Sequence, residues 1–239
     1  EILAKIRSDP VRAKLPVIIL TAKGQDTDRD AALAGGADDF LTKPFEKEEF
    51  YCRVYRSVTN VEQIRKITRA AYTDQLTDLP NRLSFFTAAP ELYERAVKHE
   101  LPFAVAMVDI DFFKKINDTF GHAGGDVALQ HLARLIETTL SDVDVVARFG
   151  GEEFCVLATD LDPDAAPTVF ERLLSAVEAS EVHFEGQSIR FTLSIGVTTK
   201  AGGDLDAVIN RADELLYEAK QSGRNQVVIE PGETAGGTR

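Results

Sequence analysis

The chain has 239 residues, 44% hydrophobic and 28% charged, with a formal net charge of −12, the composition of a folded globular protein of one or two domains. The acidic balance, without any Lys/Arg block, argues against nucleic acid and anionic membrane as partners, and no apolar run is long enough to span a bilayer. Cys52 and Cys155 lie far apart beside apolar residues, which excludes a CxxC motif and fits core thiols in a reducing, cytoplasmic compartment.

The chain opens at Glu1 without Met, as a piece of a longer protein would. Residues 1–50 alternate helix and strand. "EILAKIRSDP" predicts a short amphipathic helix, "LPVIILTA" a buried parallel strand, "DTDRDAALAGGA" a helix stopped by glycines, and "DDFLTKPF" a second strand. The pattern is that of a doubly wound α/β unit. Two strands are too few to close such a sheet, so part of this domain is expected upstream. Thr21 after the first strand and Lys43-Pro44 after the second resemble the C-terminal half of a response-regulator receiver domain. In that family the Thr hydroxyl and Lys ammonium contact a phosphoryl group on an Asp. Asp38 and Asp39 do not match that Asp, so the resemblance names no acceptor within this chain.

Residues 46–73 contain no Gly or Pro, and Val54, Val58, Val61, Ile64, Ile67 and Ala71 recur at steps of three or four. That is an apolar stripe on one helix of about 40 Å. It reads either as a helix packed on its own domain or as a coiled-coil stalk joining two protomers. Beyond it, helices are expected at 82–99, 112–119, 125–140, 164–180 and 204–221. Strands are expected at 102–109, 188–199 and 225–230, with a hairpin at 144–160. The tail "GETAGGTR" reads as disordered.

Two acidic clusters carry chemistry. "FAVAMVDIDFFKKIND" runs an apolar strand into Asp109 and Asp111, and "RFGGEEF" sets Glu152 and Glu153 after Gly150-Gly151. A buried strand ending in carboxylates is costly unless a cation meets them. If the hairpin lies beside the end of that strand, Asp109 faces Glu152, and a hard divalent ion would relieve their repulsion. Oxygen-only ligands favour Mg²⁺ or Mn²⁺ over Zn²⁺ and point to nucleotide phosphoryl or nucleotidyl transfer. Asn117 and Asp126 can read guanine, whose N1–H and N2–H₂ donors suit a carboxylate. Lys220 and Arg224, about one turn apart, suit a triphosphate, and Lys114 can reach the phosphate in flight.

These blocks resemble the GGDEF family, the diguanylate cyclases. The matching stretches are "DQLTDLPNR", "VDIDFFKKINDTFGHAGGD", "RFGGEEF", "SIGV" and "ADELLYEAKQSGRNQV", spanning about 70–232. The resemblance implies an α/β (α+β), nucleotidyl-cyclase or palm-like fold: an antiparallel-rich central sheet with flanking helices. It implies residues 1–50 as partial receiver, 51–73 as helical stalk, 74–232 as cyclase and 233–239 as tail.

The reaction implied joins two GTP into cyclic di-GMP with release of two pyrophosphates, at the interface of a homodimer. An upstream histidine kinase would act on the full-length protein. The roles implied are metal binding, two Mg²⁺ (or Mn²⁺) per half-site, by Asp109, the Ile110 carbonyl, Glu152 and Glu153. Glu152 would also deprotonate the attacking hydroxyl, and Lys114 would stabilise the transition state. Asn117, Asp126, His122 and Phe113, with Phe112, would line the nucleoside site. Gly150 and Gly151 would admit the α-phosphate, and Lys220 and Arg224 would bind the terminal phosphates.

Asp111 is expected to make a local structural contact, Asp74 and Asp78 to cap turns, and Arg148 to pair with a nearby acid. His99, His131 and His183 read as ordinary surface or interface histidines. Family members often carry an Arg-x-x-Asp product-inhibition pair before the GG motif. Ser141 stands in place of that Arg while Asp144 remains, so inhibition by product is expected to be weak. The alternative function is a catalytically silent sensor of GTP or cyclic di-GMP.

Overall fold

The computed structural model describes residues 2–9, 12–22, 30, 33–140, 145–162 and 164–230. Half of the expected helix at 26–37 falls outside them, as do Ser141, Asp144 and the tail. The chain divides into two compact units, 1–69 and 70–239.

The first unit contains α1 (Ile2–Ser8), β1 (Ile18–Ala22), β2 (Asp39–Lys43) and most of α2 (Lys47–Tyr72). β1 and β2 pair in parallel, placing Thr21 opposite Thr42. Two strands bury little: among the described residues Leu41 and Ala37 form the apolar interior, while Leu20 stays 43% exposed. Arginines fasten the rest. Arg7 donates to Asp38 and to the carbonyls of Gly36, Ala13 and Leu15, and Arg53 bridges Asp39 and Glu49. α2 buries none of its residues.

The second unit adds α3 (Arg82–Lys98), β3 (Phe103–Ile110), α4 (Phe113–Thr139), β4 (Val145–Gly150) and β5 (Glu153–Thr159). After these come α5 (Ala166–Glu178), β6 (Val182–Phe184), β7 (Gln187–Ile189), β8 (Leu193–Thr198), α6 (Leu205–Gln221) and β9 (Gln226–Glu230). Five strands form the main sheet in the order β4-β5-β3-β8-β9, antiparallel except for the β8–β9 pair. β6 and β7 form a separate hairpin. The expected single strand at 188–199 is therefore two strands. Glu185 and Gly186 both have positive φ, the geometry of a tight hairpin turn.

β3 is buried on both faces, and its alternation sorts the core. Ala104, Ala106, Val108 and Ile110 meet α4 and α5 with Leu129, Leu132, Phe170 and Leu173. Phe103, Val105 and Met107 meet α3 and α6 with Phe85, Tyr93, Val208 and Leu216. Each fully buried Phe or Leu contributes about 1.5–3 kcal/mol of transfer free energy. α6 lies hard against β8 because Gly196 lacks a side chain: a Cβ there would sit 2.1 Å from the Leu216 nitrogen and 2.3 Å from the Ala212 oxygen. α4 is two helical runs across a break at Gly121 (φ 71°, ψ 171°), matching the two helices expected there.

Candidate active site

The site gathers at the C-terminal end of β3, the central strand of the sheet. Asp109 is the Cα partner of Glu153 across the β3–β5 ladder, so Glu153 stands directly opposite it. Glu152 sits one residue earlier, in the turn. Gly150 and Gly151 have φ of 151° and 52°, conformations that L side chains rarely adopt. A Cβ on either would meet nothing within 4 Å, so the glycines serve the turn and leave an open approach rather than fill a contact.

Asp109 is 5% exposed and its carboxyl is pushed up to about 6. Burial is the main cause, the Lys220 ammonium opposes it, and the charges of Glu152 and Glu153 raise it further. Lys220 Nζ lies 2.8 Å from Asp109 Oδ2, so the residue expected at terminal phosphates here neutralises the strand-end carboxylate. Among the described residues no three His, Cys, Asp or Glu side chains form a group that could hold an ion as they stand. The chemistry of the donors nevertheless fits a hard divalent cation: Asp109, nearly buried and hard to ionise, feels the charges of Glu152 and Glu153 and is paired with the Lys220 ammonium.

A second corner forms on α4. A Cβ at Gly125 would come within 2.0 Å of Asn117 Oδ1 and 3.1 Å of Phe113 Cζ, so these three residues pack together. His122 and Asp126 are exposed on the second run of the helix and Lys114 on the first. A third group follows α6. The Arg224 guanidinium lies 4.4 Å from the centre of the Phe112 ring, and its backbone N–H donates to the Ala219 carbonyl at 3.0 Å.

Arg148 does pair with an acid, donating to Asp74 Oδ1 at 2.9 Å; burial raises the Asp74 carboxyl, but hydrogen bonds from Thr77 and then Arg148 hold it below the usual carboxylate range. It also donates twice to the Gly151 carbonyl, at 3.1 and 2.7 Å. The turn after α2, where Asp74 accepts from Thr77, is thereby tied to the hairpin tip. Nothing in the sequence signals that link, which spans 74 residues. His131 departs from the surface reading: its Nε2 is buried without a partner, and its ring stands edge-on to Phe191.

The end of the central strand thus gathers Asp109, Glu152, Glu153 and Lys220, with Arg224 beyond α6, a donor set that suits a hard cation and phosphate. The chain belongs to the diguanylate cyclase GGDEF domain family, whose match covers residues 71–226. Residues 1–55 match the response regulator receiver domain. Diguanylate cyclase A of Treponema denticola is 40% identical over 163 residues, 66% of this chain and 44% of that protein. Response regulator PleD of Caulobacter vibrioides is 36% identical over 236 residues, 94% of this chain and 52% of that protein. The chain thus spans about half the length of these relatives. Among solved structures, diguanylate cyclase SiaD from Pseudomonas aeruginosa, crystallised with its activator SiaC, aligns with a TM-score of 0.64 at 32% identity. That alignment covers 86% of this chain and 80% of SiaD. The coiled coil and GGDEF domain of DgcB from Caulobacter crescentus, in complex with c-di-GMP, aligns at 0.67 and 29% identity, covering 76% and 99%.

Proposed function

We propose that this protein condenses two GTP into cyclic di-GMP and two pyrophosphates. The observation that carries the reading is the crowded carboxylate set: buried Asp109, with its carboxyl pushed up to about 6 by burial and by Glu152 and Glu153. The 3′-oxygen of one GTP bonds to the α-phosphorus of the other, the bond from that phosphorus to the bridging oxygen of the β-phosphate breaks and pyrophosphate leaves; the reciprocal attack by the second 3′-oxygen closes the ring and releases the second pyrophosphate. Glu152 accepts the hydroxyl proton. Asn117 and Asp126 read guanine beside His122 and Phe113, while Lys114 offsets charge on the transferring group. Arg224 and Lys220 hold the terminal phosphates, Lys220 reaching them from its partly exposed position by leaving Asp109. Asp109, the Ile110 carbonyl, Glu152 and Glu153 would hold two Mg²⁺ (or Mn²⁺), which would screen the carboxylates and polarise the phosphoryl oxygens.

Each half-site holds one GTP, so two copies must face each other. The exposed apolar positions of α2, Val58, Ile64 and Ile67, support pairing through residues 51–73 as a stalk. Residues 1–50 form part of a receiver; in the full-length protein a histidine kinase supplies the input, and Thr21 and Lys43 contact the phosphoryl group on an acceptor outside this chain. Residues 74–232 form the cyclase.

The test is product analysis after incubation with GTP and Mg²⁺ across a range of protein concentrations. Cyclic di-GMP and pyrophosphate are expected, with activity per molecule falling on dilution and lost in Glu152→Ala. GTP uptake without product from the unaltered protein would leave a silent sensor instead.

A further inference from the structure

Asp111 lies one residue beyond β3 and is 4% exposed, yet among the described residues no Lys or Arg pairs with it. Three donors surround it instead. Thr192 Oγ1 donates to Oδ2 at 2.6 Å, Ser194 Oγ to Oδ1 at 2.7 Å, and the Asn225 backbone N–H to Oδ2 at 3.0 Å. These partners are 81, 83 and 114 residues away, so the local contact expected from the sequence is in fact a long-range junction. The residue is itself pinned, its N–H donating to the Thr192 carbonyl at 2.9 Å.

The loop it grips is strained. Arg224 and Asn225 both have left-handed backbones, with φ of 64° and 46°, a region that Asn tolerates but that a long side chain such as Arg adopts only at a cost its surroundings must offset. The carboxylate of Asp111 supplies that constraint at Asn225 N–H, and Glu178 adds a second hold, accepting from Asn225 Nδ2 at 3.2 Å. Arg224, between the pinned Asn225 and the end of α6, is left with its guanidinium over Phe112, the residue next to Asp111. A buried carboxylate is costly to keep; here its return is a fixed loop.

We infer that Asp111 is a positioning residue for phosphate binding: it locks the Gly223–Asn225 loop to the end of β3, so that Arg224 keeps a set place relative to Asp109. The inference rests on the reading of Arg224 as a ligand of the triphosphate.

Two measurements test it. In hydrogen exchange, the Asn225 amide should exchange at least about tenfold faster in Asp111→Ala than in the unaltered protein, while the amides of mid-β3 stay protected. In binding assays with Mg²⁺, the α,β-methylene analogue of GTP should bind about tenfold more weakly to Asp111→Ala, with guanosine affinity unchanged. On an Arg224→Ala background, Asp111→Ala should add less than about twofold, because the two act on one interaction. Should Asp111→Ala not fold, Thr192→Val removes one donor and should give a smaller loss confined to the triphosphate. Equal loss for guanosine and the analogue, or full multiplicativity with Arg224→Ala, overturns the proposal. If the unaltered protein takes up no guanine nucleotide, the function reading fails, and amide exchange alone decides the lock.

Discussion

Gly125 leaves almost no space at the proposed guanine-reading corner. A Cβ there would stand 2.0 Å from the side-chain amide oxygen of Asn117. Gly125→Ala should therefore turn Asn117 aside while the helix persists. We expect KM for GTP to rise about tenfold with kcat changed less than threefold, since a lost base contact removes binding shared by ground and transition states. Steady-state kinetics reads this directly.

Asp109 belongs to the same scale. Its folded-state pKa, about 6, exceeds the ordinary 3.8. A group raised in this way stabilises the fold below its unfolded pKa and loses that contribution as pH rises through the folded value. The window here runs from 3.8 to about 6. Above it the ion-free protein carries a buried, crowded carboxylate that Asn would remove, while Lys220, 29% exposed, can turn to solvent. In chelator, the melting advantage of Asp109→Asn over the unaltered protein should grow from about pH 4.5 to about pH 7.5, reaching on the order of 1–3 kcal/mol. Activity should be lost at every pH. A stability difference that does not vary with pH would contradict the assignment.

At the scale of elements, the seating of α6 on β8 sets where Lys220 ends. The Cβ of Gly196→Ala would collide with backbone atoms of α6, not with a flexible side chain. The helix must then shift outward. A loss of about 3 kcal/mol in denaturant unfolding is expected, together with a fall in kcat/KM as the α6 end moves from Asp109. The "SIGV" stretch is read in the sequence only as part of a matching pattern, and the close approach of helix to strand is its physical reason. The β6–β7 hairpin had a legible signal in "FEGQ", a Gly-containing turn between two short segments, "VHF" and "QSI". The apolar positions at 189, 191 and 193 continue the alternation past the turn and disguise the break between β7 and β8.

For the whole molecule, the exposed stripe on α2 bears on assembly. Ile64 and Ile67 are 64% and 69% exposed and add nothing to the interior of their own chain. Ile64→Glu with Ile67→Glu should leave the melting temperature of a dilute sample unchanged. Sedimentation should shift towards monomer, and specific activity at low concentration should fall about tenfold, recovering as protein is added. Activity that is independent of concentration in both proteins would remove the stalk from the mechanism.

The sequence by itself determined the order of elements apart from the β6–β7 hairpin, the apolar face of α2, the acidic clusters and the glycine turn. Each of these is a local pattern, set by side-chain period or by backbone freedom at a few adjacent positions. It also supplied the family's motifs, and with them which residues to examine. Only the tertiary structure decided which distant groups meet. Glu153 stands across from Asp109 because of strand register, Lys220 reaches that carboxylate because Gly196 admits α6, and Asp111 holds a loop 114 residues away. Such pairings arise when hydrophobic burial brings elements together and buried polar groups must then find partners, and no local pattern records which partner each will find.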